Sequence, residues 1–146
     1  MTLLIGVNDV VQGVSPDTYR RDAVTILDDL VARVGAEGVL VVTTPDYTVT
    51  PAGADFGNPE RQAAGIRANN DILSGLATAR GIAVVDIYDL SLRAGADRSL
   101  VAGDGLHPSG AQYALWVERI EPAVRSLLAA TSAATPAATD AEPAGT

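Results

Sequence analysis

The sequence predicts an α/β domain built on a parallel sheet. Three short apolar runs, Thr2–Val7, Gly38–Thr44 and Ile82–Ile87, alternate with three stretches of helical periodicity in the order βαβαβα. The runs are continuously apolar rather than alternating, as expected of strands covered by helices on both faces. Strand–helix–strand units of this kind place their strands in parallel through right-handed crossovers.

The first run ends in Gly6-Val7-Asn8-Asp9. The first helix opens at Ser15-Pro16, a hydroxyl N-cap followed by a proline at the first helical position. Its apolar stripe is Tyr19, Ala23, Ile26, Leu27, Leu30, Val31 and Val34, and Gly35 stands where a C-cap glycine belongs. The second run, GVLVVTT, leads into a long loop from Pro45 to Gly57 whose prolines and glycines suit an insertion beside an active site. The second helix opens at Asn58-Pro59 and carries Ile66, Leu73, Leu76 and Ala77 towards Gly81. After the third run comes a third helix, opening at Ser109 with Gln112 three residues on, a capping-box pattern. It carries Ala114, Leu115, Ile120, Val124, Leu127 and Leu128, and Pro122 is expected to kink it.

A length of 146 residues suits one domain. Residues 131–146 are nearly all Ala, Thr, Pro and acidic residues, with no large apolar group. They cannot bury enough surface to offset their ordering entropy, so residues 1–130 are expected to fold and the rest to form a disordered tail. Net charge is −8, and the ten basic residues are all scattered arginines. That composition argues against nucleic acid and against a polybasic membrane patch. No apolar run approaches the roughly 18 residues of a membrane span. Without cysteine there is no disulfide, zinc ribbon or thiol nucleophile.

Two segments carry residues suited to chemistry. In an open parallel sheet, ligands bind beyond the carboxyl ends of the strands, and both segments fall there. His107 is the single histidine, and an imidazole is the commonest general base near neutral pH. Asp104 lies three residues upstream, close enough to orient it, and Pro108 stiffens the chain after it. Taken alone, Asp-x-x-His is a short pattern that reads more readily as a surface turn. Asn8 can donate to a developing oxyanion without being a base. Taken alone, it reads more readily as a turn cap beside Asp9.

Together the two segments decide more. G-x-N-D at a strand end, followed by D-G-L-H-P-S before a capped helix, resembles the third and fifth sequence blocks of the SGNH (GDSL-type) hydrolase family. The resemblance extends over residues 2–130 in layout and rests on Gly6, Asn8, Asp104 and His107. It implies a flavodoxin-like, three-layer α/β/α sandwich and hydrolysis of small-molecule acyl esters through a serine-bound acyl intermediate. It implies Asn8 as an oxyanion donor, His107 as the base and Asp104 as the residue orienting it, with no metal and no cofactor.

The departures matter as much. The family's first block, G-D-S, supplies the nucleophile, and its second supplies a glycine donor; neither is present here. Ser15, Ser74, Ser91, Ser99 and Ser109 stand in no G-D-S or G-x-S-x-G context. Met1 is therefore expected to be an interior position of a longer reading frame, with any signal peptide upstream of it, so the sequence leaves the compartment open. In the family's strand order, 2-1-3-4-5, the chain would keep only the last three strands. Strand Thr2–Val7 would then be an exposed edge prone to self-association. The competing reading is a non-catalytic remnant or ligand-binding module of the same fold. A receiver or sensor domain is disfavoured, because it leaves Asp104 and His107 unexplained.

Overall fold

The computed structural model of the chain describes residues 1–134. Its centre is a parallel sheet in the order β1 (Thr2–Leu3), β2 (Leu40–Val42), β3 (Ala83–Val85). Thr2 pairs with Leu40 and Leu3 with Val41; Leu40, Val41 and Val42 pair with Ala83, Val84 and Val85. Helices α2 (Pro16–Val34) and α3 (Pro59–Thr78) cover one face, and α5 (Gly110–Ala134) covers the other. This is the α/β/α sandwich the sequence implies.

The alternation along β2 explains why that run is apolar throughout. Val39 and Val41 enter a core with Tyr19, Ala23, Leu27, Leu73, Ala77 and Ile82. Leu40 and Val42 face the other way, into a core with Ile87, Leu90 and Trp116. All four β2-side residues are fully buried, and burying each such side chain is worth about 1.5–3 kcal/mol.

The expected helix starts are found. Ser15 Oγ accepts from Thr18 N at 3.2 Å, and Asn58 Oδ1 accepts from Arg61 N at 2.9 Å. Ser109 Oγ accepts from Gln112 N at 3.3 Å. Gly35 ends α2 with φ 75°, in the left-handed region that glycine tolerates. Pro122 lies inside α5 without ending it. That helix continues to Ala134, four residues past the expected domain limit at 130; the rest of the expected tail lies outside the described residues.

The strands are shorter than the apolar runs. The run Thr2–Val7 pairs only over Thr2–Leu3, because the Ile5 carbonyl is taken by side chains and Gly6 (φ 120°) turns the chain. A short helix, α1 (Val7–Val11), follows at once, and a further short helix, α4 (Tyr88–Leu92), follows β3. Neither was expected. Each is five residues long, and α1 is rich in β-branched valine, so propensity gives no signal for it. Among the described residues no helix is long and apolar enough to cross a membrane.

Candidate active site

Asp104 and His107 sit on a hairpin-like loop that the chain fastens at several points. Val101 and Pro108 form an antiparallel bridge, and Ala102 N donates to His107 O at 2.8 Å. Gly105, at φ 76°, closes the turn, and its carbonyl accepts from Ala52 N at 3.0 Å in the Pro45–Gly57 loop. Ser109 Oγ donates to Ser99 O at 2.7 Å. The loop is thus tied to the start of α5 and to the loop after β2.

Within it, Asp104 uses both oxygens. Oδ1 accepts from Leu106 N at 2.9 Å and His107 N at 3.0 Å, while Oδ2 lies 2.6 Å from His107 Nδ1. The Leu106 N–H, helped by the His107 ring and backbone, holds the Asp104 carboxyl at about 2, below the usual carboxylate range. A carboxylate only accepts, so Nδ1 carries a proton, and in the neutral ring Nε2 presents a lone pair. The histidine side chain is 71% exposed, so that lone pair is open to an incoming group.

Asn8 stands in the first turn of α1, just past the Gly6 bend, rather than at a strand terminus. The capping alternative is not what its amide does. Helix α1 has no side-chain cap, and no hydrogen bond from another described residue occupies the Asn8 amide. A cavity of about 550 Å³ brings Asn8 and His107 together across nearly the whole length of sequence. That volume is typical of small-molecule sites. Its walls are largely apolar and include Leu4, Val11, Phe56, Trp116 and Val117. Tyr47 and Phe56 meet edge to face at 5.8 Å, placing the Pro45–Gly57 loop beside the site as its composition suggested. Both Trp116 and Tyr113 line the cavity; Trp116 is buried against the core, whereas Tyr113 is half-exposed.

Residues 1–115 match the GDSL-like Lipase/Acylhydrolase family. The chain belongs to that family. Among solved structures, the lipase/acylhydrolase from Enterococcus faecalis is 25% identical, with a TM-score of 0.62, over 85% of this chain and 60% of that one. This GDSL-like chain therefore spans about three-fifths of that relative's length. No curated protein matched.

Against the family's pattern, the serines are informative. Ser15 caps α2, and Ser91 Oγ donates to Tyr88 O while accepting from Asp46 N. Ser99 Oγ donates to Asp97, and Ser109 to Ser99 O. Ser74 lines a separate pocket with Arg67, Asp71 and Asp86. Among the described residues, none of the cavity's lining groups is a serine.

Sequence reasoning passed over the residues that fix the turn before Asn8. Ile5 O accepts from Thr44 Oγ1 at 2.7 Å and Tyr19 Oη at 3.3 Å. Gly6 O accepts from Asn69 Nδ2 at 3.3 Å. Asn70 clasps Thr44, accepting from its N at 2.7 Å and donating to its O at 2.9 Å. The available signal was the pair Asn69-Asn70 in mid-helix, a position where Asn is disfavoured.

Proposed function

We propose that the chain is the base-bearing part of a serine ester hydrolase, with Asp104 and His107 as the orienting and basic residues and Asn8 as an oxyanion donor. The supporting observation is the shared cavity, in which a free amide and a carboxylate-oriented imidazole come from segments about a hundred residues apart. The nucleophilic serine comes from a segment outside these 146 residues.

In this reading the serine Oγ attacks the ester carbonyl carbon while His107 Nε2 takes its proton. The carbonyl oxygen becomes an oxyanion, to which the Asn8 amide donates. On collapse the C–O bond to the alcohol breaks, and His107 returns the proton to the leaving oxygen. Water then attacks the acyl-serine with His107 again accepting a proton; the bond from the acyl carbon to the serine Oγ breaks, His107 returns the proton to that oxygen, and the acid departs. Asp104 keeps the ring proton on Nδ1 throughout and stabilises the imidazolium. Apolar walls suit the hydrocarbon part of an acyl ester.

The same face also supports self-association. β1 is an outer strand, and Leu4, Val11, Tyr113 and Val117, all partly or mostly exposed, lie along the groove beside it.

The test is the reading frame upstream of Met1. An in-frame Gly-Asp-Ser segment is expected, and a protein extended to include it should hydrolyse p-nitrophenyl esters while the 146-residue chain does so no faster than buffer. A stop codon close to Met1 with no such segment before it favours the non-catalytic remnant. Ester turnover by the 146-residue chain that survives His107→Ala would place the chemistry elsewhere.

A further inference from the structure

We infer that Asn69 and Thr44 are positioning residues for Asn8, holding the turn that aims its amide into the cavity. The inference rests on the reading of Asn8 as the oxyanion donor.

Helix α1 cannot fix itself. It is five residues long, buries none of them fully and has no side-chain cap, and isolated helices of that length do not persist. Its placement must come from what it touches. Helix α3 supplies two fixed points, one turn apart on the same face. At Gly65 the backbone approaches α1 so closely that an added Cβ would lie 3.0 Å from Val10 Cγ1. At Asn69 the buried amide donates to Gly6 O at 3.3 Å. From the other side, Thr44 Oγ1 donates to Ile5 O at 2.7 Å, and Asn70 holds the Thr44 backbone by both its N–H and its carbonyl. Two successive carbonyls of the bend are thus held by side chains from two other segments.

The Asn69 bond is not needed merely to satisfy a stranded group. Gly6 O already accepts from Val10 N at 3.3 Å. A leucine, with the same branched outline and number of side-chain heavy atoms, would occupy that position without the desolvation that a buried amide incurs. What the amide adds is direction: it fixes the plane of the Gly6 peptide two residues before Asn8. Burial pushes the Tyr19 hydroxyl upward, with Asp9 adding to the effect, so that group stays a donor to Ile5 O.

The experiment uses the serine-containing protein with Asn69→Leu and Thr44→Val, each close in shape to the native residue and lacking its donor. Each is expected to lower kcat by up to about tenfold, the range of one hydrogen bond of about 0.5–1.5 kcal/mol, with KM unchanged. Thr44→Ser, which restores the hydroxyl, should recover most of the rate. Added to Asn8→Ala, neither should slow the enzyme further, because the amide they aim is gone; a purely structural role predicts additive losses. In the 146-residue chain, Asn69→Leu should shift the Asn8 side-chain amide peaks in a ¹H–¹⁵N spectrum and leave the α5 amides in place. Additive losses, wild-type kcat in both variants, unmoved Asn8 peaks, or failure of both variants to fold would each overturn the inference. If Asn8→Ala itself runs at the wild-type rate, it is the oxyanion reading that falls.

Discussion

Asp104→Asn isolates the bond on which the proposed chemistry depends. The substitution keeps an oxygen that can accept from Leu106 N and His107 N, at 2.9 and 3.0 Å in the native loop, so the hairpin should keep its shape. What changes is the group facing Nδ1. At 2.6 Å there is no room for an intervening water, and an amide NH₂ can only donate. Nδ1 must then become the acceptor, and the ring proton moves to Nε2. An Nε2–H cannot take a proton from a serine hydroxyl.

Two magnitudes separate the outcomes. If Asp104 contributed only an ordinary hydrogen bond, about 0.5–1.5 kcal/mol, the rate would fall no more than about tenfold. If it sets the tautomer, the loss approaches about 10⁴-fold, equivalent to about 5 kcal/mol of barrier. The assay is p-nitrophenyl ester hydrolysis by the serine-containing protein, beside ¹⁵N spectra of the His107 ring in the 146-residue chain. The expected result is a loss of about 10⁴ in kcat, with the proton transferred from Nδ1 to Nε2. A loss under tenfold, or a proton still on Nδ1, would refute the reasoning.

In the same serine-containing protein, His107→Ala should abolish most turnover and Asn8→Ala should cost about 10²–10³-fold in kcat, read in the same assay. Asp104 should titrate near 2 rather than 3.8. Because its folded pKa is depressed, its contribution to the loop is complete above about 4 and is lost as pH falls towards 2; a carboxyl ¹³C titration with its midpoint near 3.8 would contradict this. The 146-residue chain should run larger than a monomer on size-exclusion chromatography, and Leu4→Asp with Val117→Asp should shift it to the monomer position. A sharp-melting native monomer would count against an association-prone edge.

The fold was legible where local signals repeat. The caps at Ser15, Asn58 and Ser109 and the continuous apolarity of GVLVVTT each follow from chemistry within a few residues, and the structure confirms each. Strand limits were not legible, because an apolar run marks burial rather than pairing. Val39 is as buried as Leu40 yet lies outside β2, and Ile5 leaves β1 because Thr44 and Tyr19 take its carbonyl. The hydrogen bonds that end the strand come from residues 14 and 39 positions away, beyond the reach of any local pattern.

The site divides along the same line. Asp104 and His107 are three residues apart, so the bond between them follows from one turn of loop, and D-x-x-H announces it. The placement of Asn8 was not legible: its motif suggests a strand end, whereas it occupies the first turn of a helix that no propensity marks. The residues that hold the bend before it are more distant still. Asn69 and Asn70 look like polar interruptions of an amphipathic helix until the fold sets Gly6 and Thr44 against them. Two adjacent amides on one helix then hold the two turns that border the cavity, one leading to Asn8 and the other to Tyr47. A shift of α3 along the sheet would move both borders together. The cavity's shape therefore depends on how α3 packs against β2 through Leu73 and Ala77 as much as on the residues that line it.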